Sequence, residues 1–393
     1  MLSPAQKSQL NQSIVGYLQS HIGEEAAEPI AKALGVSAVP QELKNRLELK
    51  WKALIYLQSR IERLEQDLKE AKSLAPTNKQ GGLPSSCKMV LDEHQKPVTC
   101  VALHPRWAVA ASGSEDGGIK IWNIETGERD VTIKAHTRAV TGVDFGERVL
   151  ASCSSDLLVR VFDASDNYSM VKTLAGHEHT VSAVRLFSND EKLASCSRDN
   201  SIRIWDLKSG YCIKTVSPHD DWIRTLSVCP LSSAIVSGGR DQRVQITPLA
   251  PNLPAITHVG HQHVIECSAI APPAADGFLA KLHGLEQPIA SSYGFNYFAT
   301  GGRDKQIILW GVKTGKIATL TGHDNWVRGL SFHPSGKYLL SVGDDKTLRI
   351  WDLENEARLY RTIDAHGHFV TSIAARANLT ITGSVDCLVK VWD

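Results

Sequence analysis

His177, Ser195 and Asp199 lie close together in the chain and are the residue types of a nucleophilic triad, which is recognised by roles and not by order. In such a triad the histidine takes the serine proton while the carboxylate orients the imidazole. The stretch "SCSRDNSIRIWD", Ser195 to Asp206, then ends on a tryptophan and a further aspartate. A hydrolase would need this constellation once, and the chain carries it seven times. Aspartates opening the pattern D-x-x-[IVL]-x-[IVL]-[WF] stand at Asp116, Asp156, Asp199, Asp304, Asp345 and Asp386, with Asp241 opening the looser "DQRVQIT". Four residues before each is Ser112, Ser152, Ser195, Ser237, Thr300, Ser341 or Thr382; six after is Trp122, Phe162, Trp205, Thr247, Trp310, Trp351 or Trp392. Upstream stands His94, His136, His177, His219, His261, His323 or His366. A set reused at fixed spacing is a structural part, so the chain is expected to be no enzyme.

The elements that must position these residues follow from the same repeats. Segments such as "IKIWN", "VRVFD", "IRIWD" and "VKVWD" are alternating or continuous β-branched runs, as half-buried and buried strands are. Three residues before each Asp the side chain is mostly small (Gly113, Cys153, Cys196, Gly238, Gly301, Val342, Gly383), which suits close approach of neighbouring sheets. The period is near 41 residues, and "AGH", "VGH" and "TGH" precede units in which "IWD" recurs. These marks resemble the WD40 β-propellers over residues of about 88 to 393. The fold class expected is an all-β seven-bladed WD40 propeller, residues 87–393, in which the His, Ser/Thr, Asp and Trp of a unit form one hydrogen-bonded network. Phe162 and Thr247 depart from the Trp position in blades two and four. The His to Asp distance is 20 to 22 residues in six units and 43 in the fifth. That unit carries an insertion, "APPAADGFLAKLHGLEQPIASSYG", expected to project as a mobile loop. The last unit lacks an outer strand, and "CKMVLD", residues 87–92, is expected to supply it and close the ring.

With 393 residues and a formal net charge of +1, bulk attraction to nucleic acid or to an anionic membrane is not indicated. No apolar run approaches the ~18 residues of a membrane span, and the first residues lack the layout of a signal peptide, so a cytosolic chain is expected. Eight single cysteines without a C-x-x-C pair argue against a zinc site or a disulfide framework. No cofactor is expected: there is no phosphate-binding loop. The H-x-H pairs His177/His179, His261/His263 and His366/His368 lie in different blades, and the first of each belongs to a blade network, so no metal site is expected.

Before the repeats the composition changes. Leu10, Ile14 and Leu18 share a helical face; with a second short segment containing Pro29 they resemble the LisH dimerisation motif, residues 1–39. Over 40–73, Leu47, Leu54, Ile61 and Leu68 recur every seven residues with Leu57 and Leu64 between them. This is a coiled-coil seam, or alternatively a helix packed on the propeller. Residues 74–86 read as a flexible linker.

LisH motif, coiled coil, linker and propeller, with "GHDNWVRGL", "DDKTLRIWD", "HFVTS" and "TGSVD", resemble the lissencephaly-1/nuclear distribution protein F family. The resemblance implies a homodimeric, non-enzymatic regulator that binds the motor domain of the cytoplasmic dynein heavy chain, with nuclear-distribution coiled-coil proteins as further partners. It implies a cytoplasmic, microtubule-associated location at the centrosome or spindle pole. The family's motor-binding set falls by motif on Arg198, Arg224, Arg303, Trp326 and Lys346. The residues themselves agree: Arg198, Arg240 and Arg303 precede an Asp, Arg224 and Arg328 stand five after a His, and Trp222, Trp326 and Phe369 three after. Blades three to six thus carry a basic arc with aromatic anchors on the narrower rim, where blades one and two have Glu115, Ser155, Gly117 and Leu157. The alternative is a LisH–WD40 adaptor of a ubiquitin ligase or transcriptional corepressor.

Overall fold

The computed structural model describes residues 82–393 apart from 230–232, 251, 377 and 378, and before them only Val15, Glu28, Ala31, Lys32 and Val36. The expected LisH and coiled-coil residues, Leu10, Ile14, Leu18, Leu47, Leu54, Leu57, Ile61, Leu64 and Leu68, lie outside the described residues.

Seven antiparallel four-stranded sheets follow one another along the chain. In blade one the strands are Val98–Leu103, Val109–Ser114, Ile119–Asn123 and Arg129–Ile133, hydrogen-bonded in that order. The first strands of all seven blades pack side by side around the centre, that of blade seven, Val370–Arg376, against that of blade one. The outer strand of blade seven is Cys87–Asp92, paired with Leu388–Trp392 in the register Met89 to Val391 and Leu91 to Val389. The Ser85 amide donates to the Asp393 carbonyl at 2.8 Å, extending the clasp. The ring therefore has no open edge at its seam, which removes a template for pairing with other chains.

The strands are built as their sequences require. Ile119, Ile121 and Trp122 are buried within "IKIWN", and the equivalent strand of every blade is buried in the same way. The small residue three before each Asp faces the next sheet: a Cβ on Gly113 would lie 2.7 Å from Cys100 Sγ and from Val140 Cγ1. Blades two and four are as complete as the others. Phe162 fills the Trp place by packing with Ala135, Phe145 and Leu150, whereas Thr247 Oγ1 is buried and finds no hydrogen-bond partner among the described residues.

The blade-five insertion corrects the expectation of a mobile, projecting loop. A 3-10 turn, Pro273–Ala275, leads into the helix Asp276–Leu282, and Ala275, Leu279 and Ala280 are fully buried with Phe332, Leu353 and Ala357 of blade six. Downstream, Tyr293 and Phe295 join the core of blade four with Ala234, Val236 and Ile246, and Tyr293 Oη donates to the Pro254 carbonyl at 2.6 Å. The insertion thus grips both neighbouring blades. Its alternation of small and apolar residues, Ala275, Leu279 and Ala280, is a packing face and not loop chemistry.

Candidate partner-binding site

Each blade builds its loops from the same bonds. In blade three, Asp199 lies 2.8 Å from His177 Nδ1, Ser195 Oγ 2.7 Å from Nε2, and Trp205 Nε1 2.9 Å from the same Oγ. The carboxylate can only accept, so Nδ1 donates to it, Nε2 accepts from the serine hydroxyl, and that oxygen accepts from the indole. This is the polarity of a catalytic triad, with the serine closed off: Ser195 is fully buried and its oxygen committed on both sides. The His–Asp and His–hydroxyl bonds recur in all seven blades, from His94 with Asp116 and Ser112 to His366 with Asp386 and Thr382. Burial holds His94, His136 and His366 below the ordinary imidazole range against the pull of their aspartates. Burial alone would raise the carboxyl of Asp345, but hydrogen bonds from His323 and Thr347 outweigh it and lower the group to about 2.

The same aspartates make the turn that follows. The other carboxylate oxygen accepts the amide two residues on, for example Ser201 from Asp199 at 2.9 Å and Thr347 from Asp345 at 3.2 Å. Such side-chain turns tolerate a left-handed central residue. Gly117, Leu157, Asn200, Gln242, Lys305, Lys346 and Cys387 all have positive φ. The residue before each Asp is tied as well: the Arg240 amide donates to the Trp222 carbonyl and the Asp344 amide to that of Trp326, both at 2.9 Å. Side chains at these positions are therefore presented on fixed backbone.

The H-x-H pairs have a local role. His179, His263 and His368 each accept the next backbone amide on Nδ1 at 2.8 Å. Asp221 and Asn325 do the same for Trp222 and Trp326. Among the described residues no three His, Cys, Asp or Glu side chains converge on a possible metal position.

On this scaffold the arc resolves into two aromatic clamps. Trp222 has the guanidinium carbons of Arg198 and Arg240 at 4.8 and 5.0 Å from its ring. Trp326 has those of Arg303 and Arg328 at 4.2 and 4.9 Å. In both, one arginine comes from the preceding blade, so each clamp spans a blade boundary. Arg224 stands on the first strand of blade four, and Arg328 also forms a two-bond pair with Asp344 at 2.9 and 3.0 Å. Lys346 and Phe369 are members of neither clamp. Lys346 is exposed, with φ of 68° and its carbonyl accepting the Ala365 amide; Phe369 packs edge-on against His368 at 4.5 Å.

One residue escapes a search for positive charge. Glu266 stands five after His261, the register of Arg224 and Arg328 in the blades on either side. Its side chain is 4% exposed, and it accepts from Arg303 at 2.5 Å and from Arg224 at 2.8 and 3.1 Å, with Arg328 at 3.5 Å. Burial would raise its carboxyl, but the arginines outweigh that and hold it below the ordinary range.

Six segments, 85–123, 127–163, 168–206, 210–246, 315–352 and 357–393, match the WD domain, G-beta repeat family. The interval between the fourth and fifth contains the three inner strands of blade five and its insertion. Nuclear distribution protein nudF of Aspergillus niger is 42% identical over 393 residues, covering 95% of this chain and 89% of that one. Nuclear distribution protein PAC1 of Yarrowia lipolytica is 40% identical over 443 residues, covering 100% and 99%. The chain belongs to the nuclear distribution protein nudF/PAC1 family. This family is non-enzymatic. Among the described residues no helix is long and apolar enough to cross a membrane.

Proposed function

We propose that the chain is a homodimeric regulator of the cytoplasmic dynein pathway that docks its basic, aromatic arc on the motor domain of the dynein heavy chain. Membership of the nuclear distribution family supports the pathway. The observation that carries the docking surface is the pair of clamps, because an Arg-stacked Trp on rigid backbone combines the two residue types that dominate interface hot spots. Arg198, Arg224, Arg303, Trp326 and Lys346 form the principal contact set, with Trp222, Arg240, Arg328 and Phe369 beside them. A cationic rim also steers an acidic partner before contact. Dimerisation through residues 1–73 presents two propellers, and the second contact then benefits from a raised effective concentration. Nuclear-distribution coiled-coil proteins are further partners, and the place of action is the cytoplasm, on microtubules and at centrosomes or spindle poles.

The test is binding of purified dynein motor domain by the full chain and by Arg303→Ala with Trp326→Ala. A hot-spot loss of ~2 kcal/mol or more corresponds to a ~30-fold weaker Kd. Undiminished affinity removes the site assignment; no binding by the unaltered chain shifts the reading to the LisH–WD40 adaptor. Sedimentation equilibrium at micromolar concentration gives twice the chain mass if the dimer is right.

A further inference from the structure

The position five after each blade histidine forms a ring around the centre: Thr99, Thr141, Ser182, Arg224, Glu266, Arg328 and Thr371. On one side the ring is neutral. Thr99, Thr141 and Thr371 donate to the carbonyls of Val140, Val181 and Val98 in the next blade, at 2.6, 2.5 and 2.6 Å. On the other side the same register is ionic, and its middle member is the buried carboxylate of Glu266. Together with Glu115, Arg185 and Arg198 these residues line a central cavity of about 490 Å³.

We propose that Glu266 is the positioning residue of the arc: one buried carboxylate shared by Arg224, Arg303 and Arg328 fixes the shape in which the cations meet an acidic partner. This rests on the reading of the arc as the motor-binding surface. Three guanidiniums from blades four, five and six converge on it, and two of them, Arg303 and Arg328, are the clamp on Trp326. Like charges held this close repel unless a shared anion sits between them, and a fork of N–H donors on a carboxylate also fixes orientation. Glu266 reaches neither Arg198 nor Arg240 by any such bond, so the Trp222 clamp should keep its form without it.

The inference makes a prediction opposite to a charge count. Glu266→Gln raises the positive charge of the arc by one unit, so steering and net attraction for an acidic partner would rise if charge alone mattered. If position matters, the guanidiniums of Arg224 and Arg303 spread toward solvent while Asp344 still holds Arg328, Arg303 leaves Trp326, and binding weakens. Glu266→Asp keeps the charge on a side chain one methylene shorter and should fall between.

The experiment measures motor-domain binding by the full chain as unaltered protein, Glu266→Asp and Glu266→Gln. In parallel, the 19F signal of Trp326 is followed in 5-fluorotryptophan-labelled protein without partner and assigned with Trp326→Phe. The expected result is affinity falling in that order, with at least a tenfold loss for Glu266→Gln, a displaced Trp326 signal and an unmoved Trp222 signal. Equal or tighter binding by Glu266→Gln overturns the proposal. If that variant does not fold, Glu266→Asp decides: a threefold or greater loss supports positioning, and wild-type affinity overturns it. If the unaltered chain does not bind the motor domain, the proposed function fails while the fluorine signal still decides. An unmoved Trp326 signal then refutes the clamp, and a displaced one upholds it.

Discussion

Thr300 and Thr247 are both buried, but their hydroxyls have opposite circumstances. Thr300 Oγ1 lies 2.8 Å from His261 Nε2 and 2.7 Å from Trp310 Nε1, whereas Thr247 Oγ1 has no partner among the described residues. Replacing each by Val exchanges a hydroxyl for a methyl at almost the same shape. In Thr300→Val the imidazole acceptor and the indole donor are both stranded, and each buried unpaired group costs ~1–3 kcal/mol, so a loss of ~2–6 kcal/mol is expected. In Thr247→Val a desolvated, unpaired hydroxyl disappears, and a gain of ~1 kcal/mol is expected. Urea titrations followed by far-UV circular dichroism read both, provided the slopes are equal, so that a moved midpoint reports stability. The two midpoints should move in opposite directions from the unaltered protein. A Thr300→Val midpoint unchanged or raised, or a Thr247→Val midpoint clearly lowered, would refute the idea that these networks stabilise the blades by satisfying buried polar atoms.

Two further outcomes follow from the clasp and from the titrating groups. Deleting residues 1–92 removes the strand Cys87–Asp92 and should lower the urea midpoint well below that of a 1–80 deletion; burial of Leu91 contributes ~2 kcal/mol and each lost ladder bond ~1 kcal/mol. Equal midpoints for the two truncations would show that the leading strand does not hold the ring. Acid should weaken the propeller in two windows. His94, His136 and His366 have folded pKa values below the unfolded ~6.5, so the unfolded chain binds more protons and stability falls as pH drops below ~6.5. Asp199, Asp241, Asp304 and Asp345 are lowered by their hydrogen bonds despite burial, so their contribution, complete above the unfolded ~3.9, is lost as pH falls toward about 2, the folded value of Asp345. Thermal midpoints should therefore hold steady above pH ~7, fall as the pH drops below ~6.5 and fall again below ~3.9; a midpoint that rises on acidification from pH 7 to pH 5 contradicts the histidine assignment.

Much of the ring was legible because its parts are repeated. A His, a hydroxyl, an Asp and a Trp at constant spacing report one geometry seven times, and the lone outer strand at "CKMVLD" reports the seam. The basic arc was legible as residue types at shared register, although pairing into clamps was not, since which guanidinium covers which indole depends on side-chain direction across a blade boundary. Glu266 is not legible from positive charge alone: it stands five after His261, where Arg224 and Arg328 stand in the neighbouring blades, and it is the one anion at that position. Reading charges of both signs at that position would have found it. The insertion differs from the expected loop because Pro, Ala and Gly suggest a turn-rich segment, while Ala275, Leu279 and Ala280 join a core that includes Phe332 and Leu353, far along the chain.

The clasp between Ser85 and Asp393 joins residues 308 positions apart. A ribosome adding about 5–20 residues per second needs about 15–60 s to deliver the second half of that contact after the first has emerged. For that interval "CKMVLD" is a nascent ribbon without its native mate, exposed to capture by other chains. A ring assembled in this way is finished only after translation has passed its seventh sheet.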